Sequence, residues 1–261
     1  MVVVVLMAGA CLLLGKSGVR GVGDSSASPS SWGTDLLEIP VLTADRPEQV
    51  ISHCAYTVSY NPEWRVPNWV AYELTREETR GNVPRASHFE PDPDVAGVCP
   101  NYRDYSQSAY TRGHMAPAGD MKWDSTAMRE SFYLSNVCPQ DGNLNDGDWK
   151  ELEEMARVWA NRYGSVYIAC GPIISDNPVT IGRNRVAVPD AFFKVLLCRL
   201  NGDWQAIGFV FDNKPGHQKL VRYGRTVDEV EKLTGIDFFP ALDDDIENEI
   251  EAKADFSAWN L

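Results

Sequence analysis

The chain has 261 residues, 44% of them hydrophobic and 10% aromatic, which is enough to bury a sizeable core in one large or two small domains and excludes a disordered or low-complexity polymer. Its 37 acids against 24 Lys and Arg give a formal charge of −13, the wrong sign for a protein that holds nucleic acid by bulk charge. The charge is uneven: ten acids and one lysine between Thr226 and Ala252 account for −9, leaving −4 elsewhere.

The first fifteen residues are an apolar run of signal-peptide length without a preceding Lys or Arg. We read residues 1–20 as an export signal, and Ala8-Gly9-Ala10-Cys11 resembles a bacterial lipoprotein box. A cysteine within the apolar stretch, or a buried first strand, are the alternatives. The Ser-rich segment 21–35 reads as a flexible linker, so the globular part is expected over 36–240, with an acidic tail over 241–261. The expected location is outside the cytoplasm: secreted, periplasmic or lipid-anchored.

Val50–Asn61 and Asn68–Thr75 are β-rich and separated by Pro62 and Pro67, which predicts an antiparallel pair. Arg76–Ser108 is polar and rich in Pro and Asp, a long loop of the kind that carries function. It delivers Arg85 and leads into Thr111-Arg112-Gly113-His114. His114 is a base suited to neutral pH. Arg112 offers a planar five-donor fork for phosphate oxygens, and Gly113 allows a close backbone approach.

Asn136 opens a second polar run, in which Asn143–Trp149 reads as a turn-rich loop supplying hard oxygen ligands for Mg²⁺ or Ca²⁺. Asp148 and Glu151 have the spacing of a capping box, and Leu152, Met155, Ala156, Trp159 and Tyr163 follow at helical spacing. Glu153 then lies on the second turn, within reach of a cation at Asn145 through a bridging water, and forms an i,i+4 pair with Arg157. Ser165–Ile174, Ala191–Leu200 and Trp204–Asp212 predict a three-stranded meander turning at Asn201-Gly202-Asp203, and Thr226–Leu242 a helix stopped at Gly235. Five cysteines follow residue 20, an odd number that allows one or two disulfides; no spacing suits structural zinc, and His53, His88 and His217 are expected to be non-catalytic.

The stretches Thr111–Asp120, Ser135–Gln140, Leu144–Trp149 and Glu151–Arg157 resemble, in order and spacing, the four motifs of the DNA/RNA non-specific endonucleases of the ββα-metal (His-Me finger) class. The resemblance implies an α+β fold with a central, mostly antiparallel sheet flanked by helices. It implies His114 as general base, Asn145 as the direct protein ligand of Mg²⁺ (Mn²⁺ or Ca²⁺ as substitutes), and Glu153 as holder of the metal's water shell. Arg112, Arg157 and Arg85 match cations of the site and Asn136 a polar residue shaping the pocket. The implied partners are DNA and RNA, cleaved to 5′-phosphate products. Thr111 stands where the family has Asp. Two other functions fit the same residues: a catalytically impaired nucleic-acid-binding module, and a hydrolase of another phosphodiester.

Overall fold

The computed structural model describes residues 36–261, and the proposed export signal and linker lie outside them. Seven strands form the central sheet: β2 (Gln49–Ser52), β3 (Thr57–Asn61), β4 (Val66–Thr75), β7 (Ser165–Ile173), β10 (Ala191–Leu200), β11 (Asp203–Asp212) and β12 (Gly224–Arg225). They lie in the order β12-β11-β10-β7-β4-β3-β2, every neighbouring pair antiparallel. Two hairpins stand apart, β5 (Thr111–His114) with β6 (Val137–Gln140) and β8 (Thr180–Ile181) with β9 (Val186–Ala187), and β1 (Val41–Leu42) pairs with β13 (Ile236–Asp237).

Alternation along β10 explains the layering, because successive side chains point to opposite faces. Phe192, Leu196 and Cys198 join one core and Phe193, Val195 and Leu197 the other, so the strand is apolar on both sides. The first face is covered by α4 (Asp148–Tyr163), which buries Trp149, Leu152, Ala156 and Trp159 against it. The second is covered by α5 (Val227–Thr234) and α6 (Asp244–Glu251), through Val227, Val230 and Ile250. This is the expected antiparallel sheet with helices on its faces, and the two β-rich segments and the meander fall where the sequence places them.

Four local expectations differ. Val50–Asn61 is not one strand but parts of two, β2 and β3, which pair with each other. The stretch read as a metal-binding loop contains a short helix, α3 (Gly142–Asp146), because Asp141 caps it by accepting from Asn143 N and Leu144 N. Asp148 does not cap α4: its buried carboxylate is taken by Tyr223 Oη, His217 Nδ1 and Gln218 N, three donors about seventy residues away. The acidic C-terminal segment is folded, not free: Trp259 is fully buried, packs edge-on to Trp159 at 4.8 Å and accepts Trp159 Nε1 on its carbonyl at 3.0 Å. Gly235 does stop α5, in a left-handed conformation (φ 62°) that glycine adopts freely. Cys99, Cys138, Cys170 and Cys198 are free thiols. No helix among the described residues is long and apolar enough to cross a membrane.

Candidate active site

The β5–β6 hairpin sets His114 opposite Val137 and Gly113 opposite Cys138. Glycine is required at 113 by space: a Cβ there would lie 2.0 Å from Gln140 Oε1. Asn136 is fully buried behind the hairpin, accepting Ala116 N on Oδ1 and donating Nδ2 to Ala116 O and Ser131 O. It fixes the turn that follows His114 and does not line the cavity in front of it.

That cavity, about 480 Å³, is lined by Arg85, Arg112, His114, Asn145, Glu153 and Arg157, six of the seven positions singled out in the sequence. The His114 ring is wedged between Phe89 and Phe132 at 5.1 and 4.9 Å, and its buried Nε2 has no hydrogen-bond partner. Burial first, then the charges of Arg85 and Arg112, push its pKa down to about 3. The imidazole is therefore neutral near pH 7, the form that accepts a proton. A phosphate placed against the two arginines would offset their repulsion of a protonated ring and raise its basicity.

Both arginines are steered by rings and make no ion pair among the described residues. Arg85 lies over Phe132 at 5.0 Å, Arg112 over Phe89 and Tyr102 at 4.9 Å each. Apart from the buried Nε of Arg112, their donors stay available for phosphate oxygens.

Lys150, Glu153, Glu154 and Arg157 recur at i, i+3, i+4 and i+7, so α4 presents one polar face to the cavity. Arg157 does not pair with its i−4 neighbour Glu153. Its ion pair is with Asp120, 2.6 Å away and fully buried, whose other oxygen accepts Tyr72 Oη at 2.9 Å from β4. Glu153 is pushed up to about 7, by burial and by Asp120, against the pull of Lys194, Arg157 and Arg85. Lys194 itself is fully buried on β10, its Nζ 4.3 Å from the Trp149 ring and without a hydrogen-bond partner.

Asn145 donates Nδ2 to Thr111 Oγ1 at 3.1 Å, and Thr111 in turn donates to Gln140 O at 2.9 Å. The Asn145 amide oxygen accepts no hydrogen bond among the described residues and shares the cavity with the Glu153 carboxylate, hard oxygen donors of the kind that suit Mg²⁺. Among the described residues, the clusters of three His, Asp or Glu are elsewhere; in two of them, His53, Asp92, Asp148 and His217 hydrogen-bond to protein partners.

Sequence reasoning missed Asp120, Lys122, Lys150 and Lys194. Lys150 was findable, being three residues before Glu153 on the same helical face. Asp120 and Lys194 were not, because only the fold brings Tyr72 of β4 and Arg157 of α4 to Asp120, and Lys194 of β10 under Glu153.

A strand hairpin carrying an unpartnered histidine, backed by a helix carrying a carboxylate, defines a ββα-metal fold. The chain belongs to the DNA/RNA non-specific endonuclease family, whose model matches residues 34–245. It is 39% identical over 222 residues to the mitochondrial nuclease EXOG of Xenopus laevis, covering 78% of this chain and 61% of that protein. Nuclease C1 of Cunninghamella echinulata var. echinulata is 37% identical over 72% of this chain and 82% of its own length. The chain thus spans about three fifths of the EXOG proteins it matches. A solved structure of the EndoG/EndoGI complex superposes with a TM-score of 0.73 at 30% identity, covering 84% of this chain and 95% of that one. Several relatives, mitochondrial endonuclease G of Bos taurus among them, are named for mitochondria. This overturns the expectation of export, which rested on an apolar run lacking the basic flank of a secretory signal.

Proposed function

We propose that the chain is a metal-dependent endonuclease that hydrolyses phosphodiester bonds of both DNA and RNA, leaving 5′-phosphate and 3′-hydroxyl ends. The observation that carries the reading is, among the described residues, one cavity lined by His114, whose ring makes no hydrogen bond, by two arginines without ion pairs, and by Asn145 and Glu153.

In this mechanism His114 takes a proton from a water attacking the phosphorus, a contribution of about 10²- to 10⁴-fold. Arg85 and Arg112 hold non-bridging oxygens, and Arg157, held by Asp120, adds positive charge at the cavity wall. Asn145 and Glu153 would hold Mg²⁺, with Mn²⁺ or Ca²⁺ as substitutes. A cation held there would supply Lewis-acid stabilisation of charge on the phosphoryl group and the leaving oxygen. Five cationic side chains line the cavity against three carboxylates, which gives a locally attractive field in an acidic molecule. Arginine contacts to phosphate, rather than to base edges or the 2′-hydroxyl, would make cleavage indifferent to sugar and sequence. Supporting an active enzyme over an impaired binding module, Thr111 still ties Asn145 to the hairpin. The names of the relatives support a mitochondrial location for this chain as well.

The test is digestion of plasmid DNA and of a structured RNA by the purified chain with Mg²⁺, Mn²⁺ or Ca²⁺ and with EDTA. Cleavage of both polymers, abolished by EDTA, is expected. Failure to cleave either with any of the three metals overturns the reading.

A further inference from the structure

A second cavity, about 690 Å³, opens between the tips of two hairpins, and it is lined by Arg65, Arg183 and Arg185 together with the Trp64 indole, facing Glu63 and Asp176. None of the three guanidinium groups makes an ion pair or hydrogen bond among the described residues, in a molecule where acids outnumber Lys and Arg by 37 to 24. Unpaired cations in such a surplus of carboxylate call for a ligand.

The backbone points the same way. Pro62–Arg65 joins β3 to β4, and Gly182–Arg185 joins β8 to β9, each as a four-residue turn. Each ends in a left-handed residue, and in both that residue is arginine: φ is 64° at Arg65 and 55° at Arg185. Glycine or asparagine is the ordinary occupant of such a position, and strain of this kind concentrates where function requires the side chain. The turns are tied to one another by Ala187 N donating to Trp64 O at 2.9 Å, so both arginines are delivered to one cavity.

The cavity is joined to the active site through α1 (Tyr102–Tyr105). Tyr102, exposed, carries Arg112 over its ring at 4.9 Å, while Asp104 accepts Asn184 N at 3.0 Å and Asn184 Nδ2 at 2.8 Å. Asn184 sits between Arg183 and Arg185. Gly182 packs on the same helix, where a Cβ would meet Asp104 Cα at 2.4 Å. An exposed aromatic ring beside cationic grooves is how proteins follow a nucleic-acid strand without reading it.

We propose that the Arg65/Arg183/Arg185 cavity is a second phosphate-binding site, which grips the backbone of a nucleic-acid strand beyond the scissile bond. The inference rests on the endonuclease reading. Only a substrate long enough to reach past Tyr102 engages the site, so it favours long strands over short ones.

The test measures binding of single-stranded DNA of about twenty and about four nucleotides in EDTA, across a salt series. Proteins compared are the wild type, Arg183→Ala/Arg185→Ala, Arg185→Gly, and Arg199→Ala as an exposed charge control near the β10–β11 turn. The double variant is expected to bind the long strand about tenfold or more weakly, with a log–log salt slope shallower by about 1.4 for two lost contacts. The short strand and the Arg199 control are expected to be unaffected. Arg185→Gly is expected to bind the long strand more weakly while melting at or above the wild-type temperature, since glycine relieves the left-handed strain; a structural role would lower both. An unchanged long-strand affinity and slope overturn the proposal. Adenosine 5′-monophosphate is the third arm: tight binding of it, lost in the double variant while long-strand binding is kept, means a free-nucleotide site and also overturns the strand version. A wild type that neither binds DNA here nor cleaves it with metal brings down the endonuclease reading instead.

Discussion

The Thr111 hydroxyl accepts a hydrogen bond from Asn145 Nδ2 at 3.1 Å while donating its own proton to Gln140 O at 2.9 Å. A hydroxyl can do both at once; an ionised carboxylate, the family's usual group here, can only accept. The amide of Asn145 is thereby turned so that its nitrogen is used by protein and its oxygen accepts no hydrogen bond among the described residues, the arrangement a metal ligand at this position requires. Thr111→Val is expected to weaken Mg²⁺ binding about 10- to 100-fold, the usual effect of losing a group that orients a ligand. Thr111→Ser is expected to keep it. Cleavage rate against Mg²⁺ concentration separates the two: the Val variant recovers at high metal if positioning is the whole effect.

Lys194 makes a second prediction. Its buried ammonium lies under α4, stabilises the anionic forms of Glu153 and Asp120, and has no hydrogen-bond acceptor of its own. Lys194→Met fills the same volume but takes away the buried cation that faces Glu153 and Asp120, so stability is expected to fall by up to about 3–5 kcal/mol near neutral pH, the cost of leaving a buried charge without its partner. Metal affinity is expected to fall, because Glu153 holds its proton more tightly once the lysine is gone. Calorimetric titration with Mg²⁺ beside a thermal melt reads both effects.

The C-terminal acidic cluster makes stability depend on pH. Glu251 is buried, its Oε1 has no hydrogen-bond partner, and its pKa is pushed up to about 9 by burial and by Glu231, Glu247, Asp237 and Asp228. The folded chain keeps a proton that the unfolded chain, with an ordinary value of 4.5, releases. This contribution is full below 4.5 and lost as pH rises through 9. Glu251→Gln is expected to raise stability by about 1–3 kcal/mol near the alkaline end of that window, several degrees in Tm, and to leave acid stability unchanged. Melting curves across the window check it.

For His114 the sign is opposite. A value pushed down to about 3 from 6.5 means the unfolded chain takes up a proton below about pH 6.5 that the folded chain refuses, so stability falls as pH drops from 6.5 towards 3. In catalysis the same shift keeps the base neutral, and the acid limb of kcat/KM is expected to fall below pH 6.5. Arg85→Ala removes one of the charges responsible and is expected to move that limb upward while lowering the rate.

What could be read from the sequence was what neighbouring residues decide. β-rich and apolar runs bounded by prolines and turn residues marked the sheet, helical spacing from Leu152 to Tyr163 marked α4, and the motif residues His114, Arg112, Asn145, Glu153, Arg157 and Arg85 do meet around one cavity. What could not be read depends on partners distant in the chain. Asp148 has the form of a cap and is consumed by donors from 217–223; Arg157 looks like a partner for Glu153 and is taken by Asp120. The acidic tail hides Ile250 and Trp259, two apolar anchors too sparse to show a period. Asn136 sits in a catalytic motif, yet its amide is spent on backbone groups of the turn that positions His114.

The most direct test of the account is the single-turnover rate on an end-labelled DNA duplex at saturating Mg²⁺ for wild type and His114→Ala. If His114 is the base, the variant is slower by about 10²- to 10⁴-fold at unchanged metal affinity, and the wild-type products carry 5′-phosphate ends. A variant that cleaves at the wild-type rate, or wild-type products ending in 3′-phosphate, contradicts it.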